Sequence, residues 1–266
     1  MNTSPIGIFD SGIGGLTVVK EIRKILPQEN IIYLGDTARL PYGTKSFDAI
    51  IQFSRENAQF LLDRHVKCLI IACYSSTSVA LEILQKEFSV PIIGVIKPGA
   101  KRARELTKNN KIGVIGTSLT IYSGSYEKAF RELNANVEVL GRPCPLFVPL
   151  VEEGLIDHPA TEMIARMYLE PLKQEGIDTL LLGCTHYPLL LNIIKKILGN
   201  INYVDASQQL SQELFSFLNQ TNLLNREGKG SITIYLTDFS MNFKEIGERF
   251  LEEPMTNFFR VRPGSI

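Results

Sequence analysis

Short apolar runs alternate with longer stretches whose apolar positions recur at helical spacing, almost from one end of the chain to the other. The first run, over 5–9, reads as a buried strand. A Gly-rich turn and a helix over 16–26 follow, and Pro27 stops the helix. The same grammar predicts strands over 31–34, 68–72 and 91–95, with helices over 47–64, 76–87 and 98–107. It then begins again, with strands over 112–115 and 137–140 around a helix over 122–133. After a Pro-rich connection come helix 160–174, strand 177–182, helix 188–198 and strand 203–204. The remaining chain predicts helix 208–218, strand 232–236, helix 242–251 and a short strand over 258–261.

Strands that alternate with helices imply parallel sheets covered on both faces, an α/β class. The order also echoes itself. Ile6-Gly7-Ile8-Phe9-Asp10-Ser11 is answered by Ile112-Gly113-Val114-Ile115-Gly116-Thr117, and Leu69-Ile70-Ile71-Ala72-Cys73 by Leu180-Leu181-Leu182-Gly183-Cys184. In the second pair an apolar strand ends in cysteine and a hydroxyl-rich segment opens a helix. Ligands of such folds bind beyond the carboxyl ends of the strands. Two halves that face each other would bring Cys73 and Cys184 to one cleft from opposite sides.

Composition narrows the class. Among 266 residues, 44% hydrophobic and 21% charged, the chain has enough apolar surface for a sizeable core. The 28 basic and 28 acidic residues cancel, so the basic stripe of a nucleic-acid protein is missing, as is a polybasic membrane patch. The start carries no signal-peptide pattern, and a cytoplasmic protein is the expectation. Four cysteines without a C-x-x-C pair argue against zinc and thioredoxin-like sites. Free thiols are expected rather than a disulfide framework.

A single cysteine at a strand end is more often packing than chemistry. Two at matching positions of a repeat are a different matter. A helix N-terminus beyond each is expected to lower the thiol pKa and give a usable acid–base group. Cys68 reads as packing, and Cys144, between prolines, stays open. Asp10 and Ser11 stand at a strand end with reach into the cleft, while Asp36 reads more readily as a helix or turn cap. The turn after Asp10 is not a dinucleotide fingerprint, because Thr17 falls where the third glycine belongs. His186 shares a short loop with Cys184. Glu152, in Val151-Glu152-Glu153-Gly154, is by its own chemistry an ordinary solvated acid. The loop of Arg39, Pro41, Tyr42 and Gly43 could close over a ligand. Lys97, as an anchor for pyridoxal chemistry, is weaker than its ordinary reading as a solvated helix-start lysine. The residues by themselves point to a two-cysteine enzyme for a small anionic or zwitterionic molecule, bound by backbone N–H groups at helix starts.

Six segments together resemble the glutamate racemase group of the cofactor-independent aspartate/glutamate racemases: Gly7 to Thr17, Gly35 to Gly43, Ala72-Cys73, Ile115 to Thr117, Pro149 to Gly154 and Leu182 to Pro188. The resemblance implies two flavodoxin-like domains with mostly parallel sheets, related by a pseudo-two-fold, with the active site in the cleft between them. It implies a discontinuous first domain, 1–96 plus 207–266, and a second over 97–206. It further implies racemisation of L-glutamate to D-glutamate by two-base 1,1-proton transfer, for peptidoglycan synthesis and without metal or other cofactor. The implied catalytic residues are Cys73 and Cys184, with Asp10 assisting the first and His186 and Glu152 the second. The implied substrate contacts are Asp10, Ser11, Pro41, Tyr42, Gly43, Tyr74, Ser75, Thr117, Thr185 and His186. A small-molecule substrate is the expected partner, with neither nucleic acid nor membrane, and a homodimer is left open.

One position departs from the pattern. Where the family has Asn then Thr after the first cysteine, this chain has Tyr74 and Ser75. Ser75 can reproduce a hydroxyl contact; Tyr74 cannot supply an amide. The preferred expectation is a ring turned into its domain; the alternative is a ring that fills part of the cleft and favours a shorter acidic substrate such as aspartate. A binding protein that kept the fold and lost turnover is a further reading, against which the full set of proton-transfer groups argues.

Overall fold

The computed structural model describes residues 2–262. In chain order its elements are β1 (Ile6–Asp10), α1 (Leu16–Ile25), β2 (Ile31–Gly35), two single 3-10 turns (Thr37–Arg39 and Tyr42–Thr44), α2 (Phe47–Leu62), β3 (Cys68–Ile71), α3 (Tyr74–Glu87), β4 (Ile92–Gly94) and α4 (Ile96–Leu106). The second run has β5 (Lys111–Gly116), α5 (Ser118–Tyr122), α6 (Ser125–Glu132), β6 (Glu138–Pro143), α7 (Phe147–Glu152), α8 (Pro159–Gln174), β7 (Thr179–Gly183), a 3-10 turn (Tyr187–Leu190), α9 (Leu191–Leu198) and β8 (Asn202–Val204). The chain ends through α10 (Ala206–Gln220), β9 (Ile232–Leu236), α11 (Phe243–Leu251) and β10 (Phe258–Arg260).

Each expected strand is present, and all pair in parallel. They form a six-stranded sheet, β10-β9-β2-β1-β3-β4, and a four-stranded sheet, β6-β5-β7-β8. The same order recurs in both: β2-β1-β3-β4 in the first sheet and β6-β5-β7-β8 in the second. Strand order reverses between β1 and β3 and again between β5 and β7, and at such a switch point a crevice opens beyond the carboxyl ends. The C-terminal segment returns to the first sheet, where β9 pairs with β2 from Ile31↔Ile232 to Gly35↔Leu236.

Continuous apolar runs mark strands buried on both faces, and β1, β3 and β7 are buried throughout. Alternate residues of β1 feed two cores: Ile6 and Ile8 join the side of α1, and Phe9 joins Ala58, Leu61, Ala80 and Leu84 of α2 and α3. The α1-side core runs on through Leu210 and Leu214 of α10 and Ala100 and Ala103 of α4 into β5 and β7. The two sheets thus share one apolar cluster.

Three expectations are corrected. The helix expected from Ser76 starts at Tyr74, because the Cys73 side chain accepts the Ser76 N–H and serves as its cap. The helix expected over 122–133 is two: Thr117 caps α5, and Gly124, at φ 68°, turns the chain before α6. The Pro-rich connection conceals α7, whose Pro149 sits in the first turn, where an absent N–H breaks no helical bond.

Candidate active site

The crevices of the two sheets face each other across one narrow pocket. The first sheet contributes Ser11 after β1, Cys73 after β3 and the loop after β2; the second contributes Thr117 after β5 and Cys184 after β7. Strand ends that repeat in topology therefore present one thiol from each sheet. Cys73 and Cys184 are only 4% and 7% exposed.

Around Cys73, the Ser76 N–H reaches the sulfur at 3.5 Å. The expected lowering of this thiol by the α3 N-terminus is not what the environment produces. Burial pushes Cys73 up to about 12, and the Asp10 carboxylate adds to the rise, against weaker help from Ser76 and Ser11. Asp10 is fully buried. Its Oδ2 accepts the Gly15 N–H at 3.0 Å, the Gly12 N–H at 3.3 Å and the Thr185 hydroxyl at 3.5 Å, while Oδ1 has no partner among the described residues. Burial raises the Asp10 pKa, opposed by His186 and those backbone amides.

The Cys184 side is built differently. No helix starts at Cys184; a loop through Thr185 and His186 leads to a 3-10 turn. His186 Nδ1 lies 3.9 Å from the Cys184 sulfur, and Nε2 lies 2.5 Å from Glu152 Oε1. Burial works against the imidazolium, yet the contacts with Cys184 and Glu152 outweigh it and raise the His186 pKa to about 10. A relay from α7 through an imidazole to a thiol replaces the helix terminus expected there.

The other expected residues fall in place around these groups. Ser75 Oγ and Thr117 Oγ1 meet across the pocket at 3.0 Å, and Thr120 Oγ1 lies 3.1 Å from Thr117. Pro41, Tyr42 and Gly43 line the pocket with Leu40, as do Thr185 and His186. Tyr42 donates to Asp36 and accepts from Asn57 at 3.0 Å. Asp36 makes no side-chain cap and instead holds Tyr42, Arg39 and Thr237, so its reading as a cap is corrected. Asp10 and Glu152 lie behind the wall and act on it through their neighbours. Tyr74 packs into the buried apolar cluster with Tyr126 and Ala206, as the preferred expectation of a ring turned inward has it, and also borders the pocket. Cys68 is buried packing, and Cys144 is buried with its carbonyl accepting the Tyr187 hydroxyl at 2.8 Å. Lys97 pairs with Glu132 at 3.2 Å, on the protein surface.

Sequence reasoning missed Leu40, Val148 and Gly183 as pocket residues. Gly183 stands next to Cys184 in a quoted segment and could have been found there. Val148 belongs to α7, which the local pattern concealed.

The model of the Asp/Glu/hydantoin racemase family matches residues 11–212. A glutamate racemase of Geobacter metallireducens is 46% identical over 258 residues, 96% of either chain. One of Persephonella marina is 50% identical over 241 residues, 91% of either chain. The crystal structure of glutamate racemase from Francisella tularensis in complex with D-glutamate superposes with a TM-score of 0.94 at 42% identity and covers 100% of both chains. Paired strand ends, a pocket shared by two sheets and likeness over the full length all lead to one assignment: the chain belongs to the Asp/Glu/hydantoin racemase family, in its glutamate racemase group.

Proposed function

We propose that this protein interconverts L- and D-glutamate by moving a proton between Cα and two thiols, Cys73 and Cys184, without a cofactor. The observation that carries the reading is the pair of buried sulfurs at topologically equivalent strand ends of two sheets, both on the wall of one pocket. A group that reverses configuration in place needs an acid and a base on opposite faces of one carbon, and two sheets that face each other supply that arrangement.

The surroundings of the thiols suggest how the two roles divide. Cys73 is held as the thiol, with its pKa pushed up to about 12. Cys184 lies 3.9 Å from His186, which Glu152 holds from behind, and that neighbour gives it the role of base. The Cys184 thiolate takes the Cα proton and becomes a thiol, while the electron pair spreads into the substrate carboxylate. Cys73 gives its proton to the opposite face and becomes the thiolate. The next turnover in the same direction requires the two protonation states to exchange. Closure of Ser75 against Thr117 keeps water from the carbanion-like species. The N–H groups at the starts of α3 and α5 are the donors for substrate carboxylates.

The physiological role we propose is supply of D-glutamate for peptidoglycan in the cytoplasm. The domain division we propose, 1–96 with 207–266 and 97–206, draws support from the sheet that each strand joins.

The test is proton exchange in deuterated water with each enantiomer separately. Early in the reaction the product is expected to carry solvent deuterium at Cα while the remaining substrate does not, as two separate bases require. Cys73→Ser and Cys184→Ser are each expected to lower the racemisation rate by about a hundredfold or more, because an alcohol is a poor acid–base group near neutral pH. Equal early labelling of substrate and product would replace the two-base reading with a single base.

A further inference from the structure

Two aromatic side chains stand on the pocket wall, Tyr42 and Tyr74. The Tyr42 hydroxyl points into its own half of the molecule, toward Asp36 and Asn57. Tyr74 does the opposite. It is the first residue of α3 and follows Cys73 directly, yet the groups around its hydroxyl belong to the other half: the Ala206 N–H at the start of α10, Asp205, Tyr126 on α6 and Cys184. The side chain is 4% exposed and Tyr126 is 2% exposed. The ring therefore belongs to the apolar cluster where the two halves meet, with Tyr126, Ala206 and Cys184, and borders the pocket beside Cys73.

A phenol ring has only two side-chain torsions, and here its base is fixed by a helix start while its tip meets a backbone N–H and a buried phenol. In close-packed surroundings a side chain held at both ends has no other staggered position to move to. Near the sulfurs the wall is small or polar, as with Ser11, Gly43, Ser75 and Thr185, while Leu40, Pro41 and Val148 add apolar bulk elsewhere. The small and polar residues hold charged groups by hydrogen bonds; they do little to limit length.

We propose that the Tyr74 ring is a specificity-determining element that sets the upper length limit of the acidic amino acid this site accepts. The proposal rests on the racemase reading above and names the feature that bounds its substrate. Proton transfer holds Cα within reach of both sulfurs, so a longer substrate cannot slide along the pocket to find room. Its additional methylene presses on a ring that cannot swing aside, and overpacking of that kind is unfavourable. Discrimination by one methylene is typically about tenfold to two-hundredfold in kcat/KM. The ring carries the effect; the hydroxyl only keeps it in place. Burial holds the Tyr74 pKa well above its ordinary value, so the ring stays a neutral phenol and acts by shape.

The experiment compares L-glutamate with L-2-aminoadipate, which is one methylene longer, by the rate of Cα deuterium incorporation in the wild type, Tyr74→Phe, Tyr74→Leu and Tyr74→Ala. The ratio of kcat/KM values is internal to each variant, so a loss of folded protein cancels. The wild type is expected to favour glutamate by about tenfold or more, with most of the difference in KM. Tyr74→Phe should keep that ratio, while Tyr74→Leu and Tyr74→Ala should lower it at least about fivefold. An unchanged ratio in both ring-free variants, or a wild type that accepts both substrates equally, overturns the length limit. A wild type that exchanges neither amino acid overturns the racemase reading and the length limit with it.

Discussion

The two thiols sit at equivalent strand ends and yet meet opposite electrostatics, and the difference lies in single side chains. Beside Cys73 stands a buried carboxylate, Asp10; beside Cys184 stands His186, with Glu152 behind it. This has a consequence for stability that needs no substrate. The His186 pKa rises from an ordinary 6.5 to about 10 on folding. Its contribution is fully present below pH 6.5 and is lost as pH climbs through the folded value. Cys73, raised from 9.0 to about 12, continues the same trend at higher pH, since the folded state there holds the proton more tightly. The melting temperature of the ligand-free protein is therefore expected to fall steadily from near neutral pH to pH 10. Glu152→Gln should make that fall shallower and lower the plateau on the acid side. Calorimetric melting at a series of pH values decides it, and a wild-type profile flat from pH 7 to 10 would contradict the imidazolium. The Cys184 to His186 adjacency is legible in the sequence. The contact of His186 with Glu152 spans 34 residues, and nothing local announces it.

Among the elements, the segment between β2 and α2 shows how backbone shape serves the site. Asp36, at the end of β2, holds Tyr42, Arg39 and Thr237, and Arg39 in turn reaches Glu56 on α2. These contacts brace the loop so that Gly43 can press against α5 of the other half. A Cβ built on Gly43 would lie 2.3 Å from the Thr117 Cβ, a distance that requires the loop or α5 to move. Gly43→Ala is thus expected to hold the cleft partly open and lower kcat/KM by roughly a hundredfold, the cost of an ångström of misplacement. Its melting temperature should stay close to that of the wild type, because the loop is clamped from the Asp36 side. Steady-state kinetics beside thermal melting separates the two; full activity in the alanine variant would show that closure against Thr117 is dispensable. That such a loop follows β2 is plain from the polar and glycine residues. Its reach to α5 is a matter of how the sheets face each other.

For the molecule as a whole, the amino ends of the first sheet carry a fastening far from the pocket. Lys67 and Glu29 precede β3 and β2, form an ion pair with 1% of either side chain exposed, and are separated by 2.5 Å. Lys67 also donates to the Leu223 carbonyl at 2.7 Å, and Glu29 accepts the Asn225 N–H at 2.8 Å. The pair ties the returning segment after α10 to the first sheet. Lys67→Met should leave Glu29 buried without its partner and destabilise the fold by about 3–5 kcal/mol. Activity measured well below the melting temperature should remain within about twofold, since surface-remote stability changes leave the site geometry in place. The midpoint of urea unfolding and the rate at low temperature test both halves, and a change below 1 kcal/mol would show that the pair is hydrated and weak.

The α/β class, the ten strands and the repetition that pairs Cys73 with Cys184 are legible in the order of residues alone. Periodic apolar burial is a local property, and buried parallel strands write it plainly. Helix boundaries at Tyr74, Gly124 and α7 escaped it, because a thiol cap, a left-handed glycine and a proline in a first turn depend on backbone geometry that residue type only partly specifies. Residue pattern and the resemblance to the racemases together supplied the candidate residues, but not the character of each thiol. Tertiary structure decided that: burial and Asp10 raise Cys73 where a helix terminus alone would lower it, and Cys184 faces an imidazole in place of a helix. It also placed Tyr74 in the apolar cluster where the two halves meet, at the edge of the pocket. Desolvation and contact across a cleft are set by what the rest of the chain brings near a residue, and for that reason they exist only once the two sheets have met.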